Sequence, residues 1–132
     1  MAAVTDLVAF LEARIAEDVE RANRCAAAYP TPWALIDRGW TAYINADTPA
    51  YHRIAELHQE AGVKVEWLSD ALSHIASWDP ARVLAECAAK RAWLTRVEQL
   101  AAGEYTYEDS VFLQWMAFPY ADHPDYDPGW AP

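Results

Sequence analysis

Four prolines in the last fourteen residues, Pro119, Pro124, Pro128 and Pro132, decide what the end of this chain cannot be. Each lacks an amide N–H and fixes its own φ, so PYADHPDYDPGWAP cannot form an α-helix. The same stretch carries Tyr120, Tyr126 and Trp130, and a tail holding three large rings is expected to pack on something and not to fray. Its prolines favour an extended, semi-rigid strap. Upstream, HIASWDPARVLAECAAKRAWL holds the clearest helix start in the chain, with Asp79 as N-cap and Pro80 at the first helical position.

The helical period recurs at the other end. Leu7, Phe10, Leu11, Ile15, Val19, Ala22, Cys25 and Tyr29 follow three- and four-residue steps and define a buried face. Arg14, Glu17, Asp18, Glu20, Arg21 and Arg24 are assigned to the opposite face. The spacing predicts a helix from about Asp6 to Ala28, capped by Thr5 and stopped by Pro30 and Pro32. The helix that begins at Pro80 turns Val83, Leu84, Cys87, Leu94, Val97 and Leu100 inward and ends at Gly103.

Between these helices the pattern changes. Trp33, Leu35, Trp40, Tyr43 and Ile44 surround the turn signal Asp37-Arg38-Gly39, which predicts a short hairpin. Thr48-Pro49 reads as the start of a helix running to about Ala61, with Gly62 as its stop. Val63 to Trp67 alternates apolar with charged residues, as a brief strand does. Ser69 or Asp70 then caps a short helix over 71–77, and Ser110 caps a last apolar helix over 111–118. The expected architecture is a mainly α single domain spanning 1–132. It is a small helical bundle with two long antiparallel helices, 6–28 and 80–101, a minor β-hairpin and an extended C-terminal strap over 119–132.

Charge narrows the partners. The chain carries 20 acidic residues against 10 Lys and Arg, and from Val97 onward there are seven acids and no Lys or Arg. Such a surface repels phosphate backbones, so direct nucleic-acid binding is not expected. The expected partner is a protein, basic or apolar with a basic rim. With 54% apolar residues the chain is not expected to be disordered. No apolar run approaches the ~18 residues that a membrane span requires. No basic patch precedes an apolar stretch at the N-terminus, so a cytoplasmic location is expected.

Four segments together resemble one group of proteins: LVAFLEARIAEDVERA, the Pro32-Trp33 pair, HIASWDPARVLAECAAKRAWL and PYADHPDYDPGW. The group is a domain-of-unknown-function family of small proteins from Streptomyces, mycobacteria and their phages. The resemblance covers about half of the chain, mostly its two ends, through the HIAxxDPARVLAE and PYADHPDY strings. Two features depart from the pattern. Residues 35–68 do not follow it, and Trp78 stands where the family often has a second histidine. The resemblance implies a source and no activity, cofactor or catalytic residue.

His74, Asp79, Asp122, His123 and Asp125 are the polar groups of the resembling segments able to ligate a metal. Convergence of the tail on the Pro80 helix start would give a mix suited to zinc or manganese. Nothing in their spacing requires it, because neither H-E-x-x-H nor H-x-x-x-H is present; capping by Asp79 and backbone bonding by His123 are the plainer roles. Asp125-Tyr126-Asp127 is not a calcium loop, since the bidentate acid at position twelve would fall beyond the chain. Cys25 and Cys87 form no C-x-x-C pair and read as buried thiols. There is no G-x-S-x-G elbow and no glycine-rich phosphate loop.

The expected function is a non-enzymatic acidic accessory factor that binds protein, phage-encoded and acting on a host protein, including as a nucleic-acid mimic. Its binding candidates are Tyr120, Tyr126 and Trp130, and no cofactor is expected. The alternative is a small metal-dependent enzyme using His74 and the C-terminal Asp and His groups.

Overall fold

A computed structural model describes residues 4–38, 41–46, 53–58, 64–100 and 103–132. The fold is mainly helical, with one small antiparallel sheet. Its elements are α1 (Val4–Ala28), β1 (Ala34–Asp37), β2 (Thr41–Asn45), β3 (Arg53–His58), α2 (Val65–Ser77), α3 (Pro80–Glu98) and α4 (Tyr107–Ala117). Two 3-10 turns follow, Phe118–Tyr120 and Pro128–Trp130. The chain divides into two compact units, one of Met1–Val19 with Glu86–Pro132 and one of Glu20–Ala85.

In the first unit the start of α1 buries Leu7, Val8, Phe10, Leu11 and Ile15. The later part of α3 contributes Cys87, Leu94 and Val97, and α4 contributes Leu113 and Ala117. These residues repeat every three or four positions because that spacing returns a side chain to the same side of a helix. α1 begins at Val4, so Thr5 lies inside the helix and is not its cap. α3 ends at Glu98, three residues before the expected end, and Gly103 follows with a φ of 97°, a conformation that glycine tolerates without strain. α4 starts earlier than expected: Thr106, not Ser110, is its N-cap. The Thr106 hydroxyl accepts from the Asp109 N–H at 3.2 Å, and the Asp109 carboxylate accepts from the Thr106 N–H at 2.9 Å. This reciprocal box satisfies two amides that a bare helix end would leave unpaired.

The second unit is a three-stranded antiparallel sheet in the order β1-β2-β3, with α2 on one face. The expected hairpin is present as β1 and β2, paired Leu35 to Ile44 and Asp37 to Ala42, although Gly39 lies outside the described residues. The helix expected over 49–61 is corrected by β3. Residues 53–58 pair with β2, placing Ala55 opposite Ile44, and Thr48, Pro49 and Gly62 lie outside the described residues. Ala, Glu and Leu favour a helix locally, but pairing satisfies the free edge of β2 and packs Ile54 and Ala55 against Ala42, Ile44 and Leu72. The strand expected over 63–67 is likewise corrected over its described part, because α2 begins at Val65, and Val63 lies outside the described residues. Lys64 is its N-cap without a side-chain bond, so neither Ser69 nor Asp70 caps it. Helical pitch places Leu68 and Leu72 on one side of α2, where they are buried.

Asp79 caps α3 as its sequence predicts. Its Oδ1 accepts from the Arg82 N–H at 3.0 Å, and its Oδ2 accepts from the Trp33 N–H at 3.4 Å. Asp79→Ala is expected to lower stability by about 1–2 kcal/mol, read as a shifted urea midpoint at constant slope. An unchanged midpoint would show that the cap adds nothing.

Candidate functional site

The tail places its side chains on α1. The extended strap expected from the prolines is instead a run of tight turns. The amides of Ala121, His123, Tyr126 and Trp130 donate in sequence to the carbonyls of Phe118, Tyr120, His123 and Asp127. The Asp127 side chain accepts from the Gly129 N–H at 2.8 Å, and a Cβ at Gly129 would sit 3.1 Å from that same oxygen. Phe10 lies at the centre of an aromatic cluster. Its ring centroid is 6.3 Å from Tyr120, 5.9 Å from Tyr126 and 5.0 Å from Trp130. Trp130 is only 7% exposed and Tyr120 and Tyr126 are half-buried, so the three binding candidates of the tail turn toward the fold.

Arg14 is the residue that sequence reasoning misplaced. Assigned to the outer face of α1, it is 7% exposed, with its guanidinium carbon 5.3 Å from the Phe10 ring centre. Its Nη1 donates to His123 Nδ1 at 2.6 Å and approaches Asp125 Oδ2 at 3.6 Å, while Nη2 donates to Glu17 Oε1 at 2.9 Å. The signal was available: residue 14 falls three and four positions after Leu11 and Phe10, on the buried stripe itself. Tyr120 makes the parallel connection. Its hydroxyl donates to Asp18 Oδ2 at 2.7 Å and accepts from Lys90 Nζ at 3.3 Å. Burial first, then the bond to Asp18, raises its pKa well above the usual phenol range, so it stays a donor.

The metal candidates are divided between the two compact units. His74 is exposed on α2, with its ring 6.5 Å from Trp78; Asp79 caps α3; Asp122 is exposed; His123 and Asp125 face Arg14. Among the described residues, no group of three or more His, Cys, Asp and Glu side chains is placed to hold a metal ion. Cys87 is buried and Cys25 half-buried, and desolvation pushes the Cys87 thiol up, away from reactive thiolate. A second feature not foreseen is a carboxylate pair, Glu12 with Glu98, beside a groove of about 180 Å³. A hydrogen bond to Glu98, then burial and the repulsion between them, raises Glu12 above the ordinary carboxylate range. Among the described residues no helix is long and apolar enough to cross a membrane.

The least satisfied surface of the first unit is on α4. This helix is apolar on both sides. Leu113 and Ala117 are buried, whereas Tyr107 is 81% exposed, Trp115 60% and Phe112 42%, with Phe118 at 54% just beyond the helix end. The Phe112 ring lies 4.6 Å from that of Trp93 of α3, tilted by 55°, and both line a groove of about 430 Å³. Glu108 and Asp109 stand at its margin with Tyr107, Val111 and Trp115. An all-round apolar helix is ordinarily covered on all sides. These rings together leave on the order of 500 Å² of apolar surface in water, at the upper range of what monomers expose.

Residues 4–132 match the sequence profile of DUF6221, described as a family of unknown function. The chain belongs to the DUF6221 family. The match runs through both compact units of this DUF6221 member, including the α4 face and the turns of the tail. No curated protein and no solved structure matches it.

Proposed function

We propose that this DUF6221 member is a non-enzymatic protein-binding factor whose docking surface is the outer face of α4. The observation that carries this reading is the apolar character of α4 on both sides, with Trp115, Phe112, Tyr107 and Phe118 uncovered. Exposed aromatics clustered around a groove are the usual anchors of a protein interface. The partner is set by charge. With seven acids and no Lys or Arg from Val97 onward, the face suits an apolar segment, helical or extended, rimmed by Lys and Arg. The resemblance to proteins of actinobacteria and their phages supports an accessory role on a host protein.

The tail takes a structural role in this reading, as a clasp that pins the start of α1 through Phe10, Arg14 and Asp18. This favours docking by aromatics over imitation of a nucleic acid. Asp109 is spent in the helix cap, Asp127 in a turn and Asp125 beside Arg14, so these carboxylates serve the fold.

The test uses two labelled amphipathic peptides with the same Leu and Trp face, one rimmed by Arg and one by Glu. The Arg-rimmed peptide is expected to bind at least about tenfold more tightly by fluorescence anisotropy. Trp115→Ser with Phe118→Ser is expected to abolish that binding without changing the circular-dichroism spectrum. Equal binding of both peptides, or binding unaffected by the double substitution, would rule out this face.

A further inference from the structure

α2 carries a second exposed aromatic face, with a cation at each end. Trp67, His74 and Trp78 recur seven and four residues apart and so share one side of the helix, away from the buried Leu68 and Leu72. Trp67 is 51% exposed and Trp78 is 43% exposed. Each indole is accompanied by a cation. Lys64 Nζ lies 5.5 Å from the Trp67 ring centre, and the Arg82 guanidinium lies 4.2 Å from that of Trp78. Such pairing of a cation with an indole face is itself attractive, and it places a base at each end of an apolar stripe. Asp70, three residues after Trp67 and four before His74, borders the same stripe, so the basic groups stand at its two ends, Lys64 at one and Arg82 at the other.

We infer that the α4 face is occupied by the α2 face of a second copy of this chain. The inference rests on the reading of α4 as a docking surface and names its occupant. An aromatic stripe with Lys64 and Arg82 at its ends is what the acidic aromatic face of α4 requires. Pairing α4 with α4 of a second copy would instead set Glu108 against like charge, which disfavours a two-fold contact there. The contact is therefore head-to-tail: each copy keeps one unused face of each kind, and association can extend beyond two copies. The area is modest. The α4 rings offer on the order of 500 Å² and the two half-exposed indoles of α2 roughly 250 Å², so the contact falls in the range of weak, reversible interfaces. A host protein with the same apolar, basic-rimmed chemistry competes with the second copy for α4.

The experiment measures mass by light scattering across about 5–500 µM, the range of weak association. The wild-type chain is expected to rise above the monomer mass with concentration. Trp115→Ser/Phe118→Ser, which removes the α4 face, and Trp67→Ser/Arg82→Glu, which removes the α2 face, are each expected to stay monomeric. Their equimolar mixture is expected to form a 1:1 pair, because each variant retains the face the other lacks. That complementation also shows both variants to be folded. As a check on charge, Glu108→Arg is expected to weaken association and to regain it when mixed with Arg82→Glu. A wild-type chain that stays monomeric at the highest concentration overturns the inference, and leaves the peptide test of the α4 face to stand or fall separately. Association lost on α4 substitution but kept on α2 substitution overturns the head-to-tail arrangement while retaining α4 as a docking face. Association unaffected by either pair of substitutions places the contact elsewhere and overturns it also.

Discussion

Removing residues 119–132 is expected to lower the melting temperature by at least about 10–20 °C or to abolish cooperative unfolding. Trp130 alone, 7% exposed and packed on Phe10, is a residue whose truncation to Ala typically costs about 3–5 kcal/mol. That is a large share of the roughly 5–15 kcal/mol that holds a domain together. Deletion goes further. It uncovers Phe10, takes His123 and Asp125 from Arg14, and takes the Tyr120 hydroxyl from Asp18 and Lys90. Trp130→Ala in the full-length chain separates loss of packing from loss of chain length, and should account for much of the drop. A truncated protein that remains soluble and equally heat-stable would mean that the ring contacts contribute nothing, and the tail would then be free to act as a binding segment.

Arg14→Ala is expected to destabilise by about 2–4 kcal/mol, and Arg14→Met by less than half as much. The alanine variant removes a long side chain from beneath the tail and opens a cavity against Phe10 and His123. The methionine variant refills that volume without a charge. Two observations say that the charge itself adds little. Arg14 Nε is buried without a hydrogen-bond partner among the described residues, and the partner carboxylates, Glu17 and Asp125, are 51% and 73% exposed. Water can take over those carboxylates when the arginine is gone, so no buried orphan charge remains. Denaturant melts of the three proteins decide the point. Equal losses for Ala and Met would show that the guanidinium contacts, and not the packing, hold the tail.

Much of the helical frame was legible because its signals are local. Three- and four-residue spacing in α1 and α3 located much of their buried faces, although Tyr29, placed on that of α1, is 38% exposed; Pro30 and Pro32 marked where α1 stops, and Asp79-Pro80 marked where α3 begins. Each signal acts within one or two turns of chain. The β1–β2 hairpin was legible for the same reason, because its strands flank the turn signal Asp37-Arg38-Gly39 in the sequence. β3 was not legible. Its residues favour a helix, and only the free edge of β2, nearby in space, makes the strand the better state. α2 was misjudged in the same way: the alternation at 63–67 suggested a strand, and the residues from Val65 onward gain by continuing the helix that covers the sheet.

The candidate site divides along the same line. Sequence alone determined that the tail is no α-helix, that its rings should be covered, and that the C-terminal third is acidic, since these follow from residue type. Only the tertiary structure decided which aromatics the fold consumes. Tyr120, Tyr126 and Trp130, in an irregular segment, turn inward on Phe10, whereas Tyr107, Phe112 and Trp115, in a helix whose spacing suits burial, stay in water. A helical pattern reveals that a surface is apolar, but burial depends on what packs against it. α4 has core on one side alone, through Leu113 and Ala117, and that assignment is made by contacts distant in sequence.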